Sequence, residues 1–366
     1  MSEFPYPVFK RISTRMSKGD VTERYGVEPV YRMMFNESPL GPSPKVVAAI
    51  QEQAAKIGEY PTLGDEQLRE ALAQTWGHDL TANHFFTACS GSEALELVAR
   101  AYLQADDEVI VSPPTFGVYN KLTKMQRAKT VSVPLKQPSF TPDVQAILSA
   151  VTPRTRLLII CNPNNPTGTV MPADEMDYLV KNMPEHVTIV ADDVYCHFVT
   201  DDRYPDNVQY IAEGYPVISI QTFSKAYGMA GLRLGYGIAP TQIADYIGGF
   251  HRGFHQNRLA LAAGLAALED QEHVQKNARM VIEGREWLYE QLDHLDLAYI
   301  PTQTNFMVVH MPPGREATAV VNALLPYGVM IRALNAPGLQ NSLRVSTSVP
   351  AGNEQFIRGL QEILTV

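Results

Sequence analysis

The sequence predicts an α/β protein, with a large lobe built on a mostly parallel sheet between two layers of helices and a smaller α+β lobe. Apolar, β-branched runs recur at Glu108-Val109-Ile110-Val111, Leu157-Leu158-Ile159-Ile160, Val187-Thr188-Ile189-Val190 and Val217-Ile218-Ser219-Ile220. Stretches of helical composition, such as Ser92 to Leu103 and Ala173 to Lys181, separate them. Near-continuous apolar strands that alternate with helices belong to a parallel sheet covered on both faces. From Leu259 to His294 the pattern turns helical and then ends in two short strand candidates, Asn305 to Val309 and Leu343 to Thr347, which give the smaller lobe. The N-terminal stretch up to Phe35 is expected to pack on that lobe.

A chain of 366 residues with 45% apolar and 19% charged content suits a two-lobed globular enzyme with a sizeable core. The net charge of −9 argues against a surface dedicated to nucleic acid or anionic membrane. No segment reaches the roughly 18 uninterrupted apolar residues of a membrane span, and Met1 to Pro5 lacks a signal-peptide pattern, so a cytoplasmic location is expected. Cys89, Cys161 and Cys196 are scattered and without metal-ligand spacing, which suits a reducing compartment and predicts no disulfide.

Each apolar strand runs into a chemically loaded loop: Pro113-Pro114-Thr115-Phe116, Asn162 to Gly168, Asp192-Asp193-Val194-Tyr195, and Thr222-Phe223-Ser224-Lys225. Ligands in open α/β sheets sit at the carboxyl ends of the strands, so these loops predict a single site. A lysine after a strand, such as Lys225, is ordinarily only solvated; an amine held among apolar neighbours can instead have a lowered pKa and form a Schiff base with an aldehyde, and Thr222, Ser224 and Arg233 offer groups for an attached phosphate. Asp192 and Tyr195, three residues apart, are placed to meet one planar ligand, the carboxylate keeping a pyridine nitrogen protonated; a helix N-cap is the alternative for Asp192. Ser90-Gly91-Ser92-Glu93 opens a helix, where free N–H groups suit an anion and the serines also suit capping. Asn162-Pro163-Asn164-Asn165-Pro166-Thr167-Gly168 has the composition of a tight turn.

Two patterns are set aside. His251 and His255 are four apart, but Gly253 between them weakens a helix and no third ligand is evident, so no metal is expected. Gly231, Gly235 and Gly237 do not open a helix after a first strand, as a dinucleotide loop requires.

Taken in order, these segments resemble the class I and II aminotransferases of fold type I, most closely the histidinol-phosphate aminotransferase family. Tyr25-Gly26-Val27 with Phe35-Asn36-Glu37-Ser38-Pro39-Leu40-Gly41-Pro42-Ser43-Pro44 is similar to that family's opening motif, Glu59-Tyr60-Pro61 to its next, and the likeness continues to Leu343-Arg344-Val345. The resemblance implies a seven-stranded, mostly parallel sheet in a large domain over 41–257, with 1–40 and 258–366 forming the small domain. It also implies pyridoxal 5'-phosphate as cofactor, bound to Lys225, which shuttles the proton. Asp192 would pair with the ring nitrogen, Asn165 and Tyr195 with the ring oxygen, and Phe116 would stack on the ring. Gly91, Ser92, Thr222, Ser224 and Arg233 would hold the phosphate, joined by Tyr60 from the neighbouring subunit of a homodimer.

Arg344 matches the arginine that receives the substrate carboxylate, Arg332 a second one for the substrate's anionic end, and Tyr25 and Asn36 further substrate contacts. Histidinol phosphate as amino donor and 2-oxoglutarate as acceptor are implied. Transfer from another amine, such as an aromatic amino acid, or decarboxylation of a phosphorylated amino acid would use the same cofactor set. Phe250 to Arg258 and Ser346-Thr347-Ser348-Val349-Pro350 depart from the family pattern near substrate contacts. A sensor domain of a transcription regulator is disfavoured, because no helix-turn-helix pattern or basic surplus precedes the opening motif.

Overall fold

The computed structural model describes residues 16–61 and 64–365, so the expectation for the N-terminal stretch lies outside the described residues for 1–15. In chain order the strands are β1 (Tyr31–Arg32), β2 (Phe85–Ala88), β3 (Glu108–Val111), β4 (Lys129–Ser132), β5 (Thr155–Cys161), β6 (Thr188–Asp192) and β7 (Val217–Thr222). They continue as β8 (Gly235–Ile238), β9 (Tyr299–Ile300), β10 (Phe306–His310), β11 (Val329–Met330), β12 (Arg332–Leu334) and β13 (Ser342–Ser346). Seven of them form one sheet in the order β2-β8-β7-β6-β5-β3-β4. Only β8 runs against its neighbours β2 and β7. The central strands β5, β6 and β7 are apolar and almost wholly buried because helices cover both faces.

Three strands of this sheet were not evident in the sequence. Strand β4, Lys-Thr-Val-Ser, lies at the edge and needs only partial burial. Strands β2 and β8 pack by close backbone approach: a Cβ on Gly237 would lie 2.1 Å from Cζ of Phe86, and one on Gly235 would lie 2.4 Å from the Gly91 nitrogen. The glycines near Arg233 therefore serve packing between a strand and its neighbours.

The second lobe holds a four-stranded antiparallel sheet, β12-β13-β10-β9, with helices Gln271–His294, Ala317–Ala323 and Pro350–Thr365. Its core includes Leu288, Leu292, Met307, Val345, Phe356 and Leu360. The described N-terminal residues pack here: Met33 enters that core, Val21 and Val30 cluster with Met330, and β1 pairs with β11.

Helix Gln271–His294 joins the lobes. Its buried positions Val274, Val281, Arg285, Leu288 and Leu292 keep one helical face, and they pass from the large core at Val274 and Val281 to the small one at Leu288 and Leu292. Helix Arg258–Leu268 buries Ala260, Ala263, Ala267 and Leu268 in the large core. We therefore propose that the lobes divide within Gln271–His294 rather than at residue 258. No helix among the described residues is long and apolar enough to cross a membrane. Cys89, Cys161 and Cys196 are free thiols.

Candidate active site

A cavity of about 330 Å³ lies at the carboxyl ends of β5, β6 and β7, where the lobes meet. Its floor carries Asp192, the last residue of β6, which is 2% exposed. One oxygen, Oδ2, accepts a 2.6 Å hydrogen bond from the Tyr119 hydroxyl. The other, Oδ1, has no hydrogen-bond partner among the described residues. Burial pushes this carboxyl up to about 6, with the Tyr119 bond opposing the shift. A buried carboxylate with a spare oxygen calls for a donor or a cation.

Lys225 follows β7 in a turn closed by the Gly228 N–H on the Lys225 carbonyl. Gly228 has φ +71° and sits so close to Gly41 that a Cβ would fall 2.2 Å from its carbonyl oxygen, which locks the turn against the N-terminal segment. The Lys225 amine donates to the carbonyls of Asn36 at 2.9 Å and Phe35 at 3.3 Å. Burial first, and then the positive charge of Arg344, lowers its pKa from 10.5 to about 8. The amine is thus more readily neutral, and so more nucleophilic, than an ordinary lysine.

Tyr195 is buried, and its hydroxyl accepts from Asn36 Nδ2 at 3.1 Å and Asn165 Nδ2 at 3.3 Å. Burial pushes the phenol well above its usual pKa. Asn165 Oδ1 in turn accepts from Arg344 Nη1 at 2.9 Å, and Arg344 Nη2 donates to the Met34 carbonyl. Arg344 on β13 and Arg332 on β12 are register partners, and both line the cavity. Asn36 is pinned by Ser346, whose hydroxyl accepts from its N–H and donates to its Oδ1.

The opposite wall is the start of helix Gly91–Tyr102, where Ser90 caps the Glu93 N–H and the Gly91 and Ser92 amides begin the helix. The capping reading is met by the Ser90 hydroxyl, and it leaves the amides of Gly91 and Ser92 at the open end of the helix. Thr222, Ser224 and Arg233 line the same end, with Arg233 Nη1 reaching Ser224 Oγ at 3.5 Å. Phe116 lines the side and meets Tyr119 edge-on, with ring centroids 5.7 Å apart.

One cavity thus gathers Gly91, Ser92, Phe116, Asn165, Asp192, Tyr195, Thr222, Ser224, Lys225, Arg233, Arg332, Arg344 and Asn36. Two expected residues stand apart from it. Tyr60 is 71% exposed and stacks on Phe254, centroids 4.7 Å apart. Tyr25 ends the helix Lys18–Tyr25 and packs beside Val21, Val30 and Met330. Sequence reasoning missed Tyr119 and Glu37; Tyr119 meets Asp192 across 73 positions, so no local pattern announced it. His251 and His255 stack on each other 3.8 Å apart, with the Nε2 atoms of both within hydrogen-bond distance of Thr87.

Comparison with known proteins gives the family. Residues 29–360 match the family model of aminotransferase class I and II. A histidinol-phosphate aminotransferase of Moorella thermoacetica is 38% identical over 94% of this chain and 88% of its own length. One from Symbiobacterium thermophilum is 37% identical over 94% of this chain and 93% of its own. Among solved structures, the histidinol-phosphate aminotransferase of Sinorhizobium meliloti in complex with pyridoxal-5'-phosphate superposes with a TM-score of 0.86, at 26% identity and 98% coverage of both chains. The matched span takes in every cavity residue named above, and the chain belongs to the aminotransferase class I and II family.

Proposed function

We propose that this chain transfers the amino group of histidinol phosphate to 2-oxoglutarate in two half-reactions, with pyridoxal 5'-phosphate as cofactor. The observation that carries the reading is the buried Asp192 with its unpartnered Oδ1, in one cavity with a lysine of lowered pKa and a helix N-terminus. Those features fit, respectively, a protonated pyridine nitrogen, an aldehyde and a phosphate. When bound, the cofactor supplies an aldehyde that takes up the amino group and a ring that withdraws electrons from the donor's α-carbon.

The chain's own residues do the rest. Lys225 would hold the cofactor covalently and then move the proton at the α-carbon. Asp192, kept in place by Tyr119, would hold the proton on the ring nitrogen. Asn165 and Tyr195 would hydrogen-bond the ring oxygen, and Phe116 would cover the ring. Gly91, Ser92, Thr222, Ser224 and Arg233 would grip the phosphate. Arg344, and beside it Arg332, would receive the substrate's anionic end, since guanidinium forks accept phosphate and carboxylate alike. The exposed Tyr60–Phe254 stack supports a homodimer in which Tyr60 reaches the neighbouring cavity, and the three free thiols support a cytoplasmic location.

The test is a panel of donors on the cofactor-loaded protein, read by the cofactor's absorbance and by glutamate formation from 2-oxoglutarate. Turnover with histidinol phosphate is expected; carbon dioxide release, or failure with this donor alone, contradicts the proposal. Arg332→Ala should weaken a phosphorylated donor about tenfold more than an uncharged one, because only the former loses a charge-assisted hydrogen bond. Equal losses would mean that Arg332 acts only on the fold.

A further inference from the structure

Charge around the cavity is lopsided. Lys225, Arg233, Arg332 and Arg344 line it, and the only carboxylates among its lining residues are Asp192 on the floor and Glu37 at the rim. The floor carboxylate already has a task in the proposed reaction, whereas Glu37 has none. A forked ion pair holds it, with Arg32 Nε on Oε2 at 2.8 Å and Nη2 on Oε1 at 2.6 Å. Both side chains are partly wet, at 40% and 30% exposure, so the fork is specific in geometry yet open to competition from water or an incoming polar group.

The pair also has a position that suits exchange. A second cavity, of about 450 Å³, shares Glu37 and Ala230 with the first, and Arg32 belongs to its wall. The ion pair therefore stands between the two spaces. Ser346 to Val349, part of a segment that departs from the family pattern, line the second space. The Arg32 guanidinium lies 5.5 Å from the centroid of the Phe35 ring, which gives it a resting place when the carboxylate is engaged elsewhere.

A transaminating cavity has to admit two unlike partners in turn. A dianionic 2-oxo acid is repelled by a bare carboxylate at the rim. A heteroaromatic ring with an N–H gains nothing from a wall of cations but gains a charge-assisted hydrogen bond from a carboxylate. We propose that Glu37 is a specificity-determining residue: released from Arg32, it accepts a hydrogen bond from the ring N–H of the amino donor, and Arg32 masks it again when the dianionic acceptor enters. This rests on the donor and acceptor proposed above and names the residue that tells them apart.

The experiment uses the cofactor-loaded enzyme as wild type, Glu37→Gln, Arg32→Leu and the double variant. The donors are histidinol phosphate and the same compound with phenyl in place of imidazole. Glu37→Gln should lower kcat/KM for the imidazole donor about tenfold and move the phenyl donor by less than about twofold. Arg32→Leu should raise KM for 2-oxoglutarate about fivefold, with the double variant returning it towards wild type, because the bare carboxylate is then gone. Equal losses on both donors, or a KM for 2-oxoglutarate that Arg32→Leu leaves unmoved, overturns the assignment. If wild type does not use histidinol phosphate, the donor proposal falls, and L-histidine against L-phenylalanine then decides the Glu37 proposal by the same ratio.

Discussion

Asp192 and Lys225 are displaced by burial in opposite directions, the carboxyl up to about 6 and the amine down to about 8. Lysine attacks an aldehyde only as the neutral amine, and a lowered pKa moves that form to lower pH. The rate of cofactor capture by the cofactor-free protein should therefore climb with pH and level off above about 8. Stopped-flow absorbance across a pH series checks this, and a rate still climbing towards the ordinary lysine value of 10.5 would contradict it. Phe116, Asn165, Asp192, Tyr195, Thr222, Ser224 and Lys225 were legible because each sits at the end of an apolar strand or in the loop after it, whereas Asn36, Arg332 and Arg344 were reached through the family resemblance. Tyr119 was not legible, since its bond to Asp192 spans 73 positions and leaves no local spacing to read. Glu37 reaches the rim only because the N-terminal segment folds over the lysine turn, a contact made by tertiary packing alone.

At the level of elements, the strongly apolar strands β3, β5, β6 and β7 could be read from the chain, whereas β2, β4 and β8 could not. Those three are short, and β8 alternates glycine with the buried Tyr236 and Ile238, so it shows no continuous apolar run although its glycines allow close approach to neighbouring groups. This separates two substitutions on one strand. Gly237→Ala drives a methyl into the buried Phe86 ring and should cost about 1–3 kcal/mol of stability, seen as a lower denaturation midpoint, while cofactor affinity of the folded protein holds. Gly235→Ala instead meets the backbone of Ser90 and Gly91, so it should displace the start of helix Gly91–Tyr102 and loosen cofactor binding as well. Equal cofactor affinity in the two variants, measured by titration, would detach that helix start from phosphate binding.

For the whole molecule, the cavity needs both lobes: Lys225 and Asp192 come from the large sheet, Arg332 and Arg344 from the small one, and Asn36 from the N-terminal segment. The division of labour was visible in the sequence, but the place of the crossing was not. The composition of helix Arg258–Leu268 assigns it to neither lobe, and its packing in the large core is what supports the division proposed above. Tyr60 and Phe254 lie outside, ring on ring and largely exposed. In the proposed dimer, Tyr60→Ala should weaken cofactor retention and leave the fold intact; a sedimentation profile showing a monomer that holds cofactor at full affinity would contradict the dimer. The whole site depends on one amine. Borohydride reduction of the cofactor-loaded protein, followed by peptide mass mapping, should place the modification on Lys225 and leave Lys225→Ala unlabelled; a label on another lysine, or none in the wild type, would contradict it.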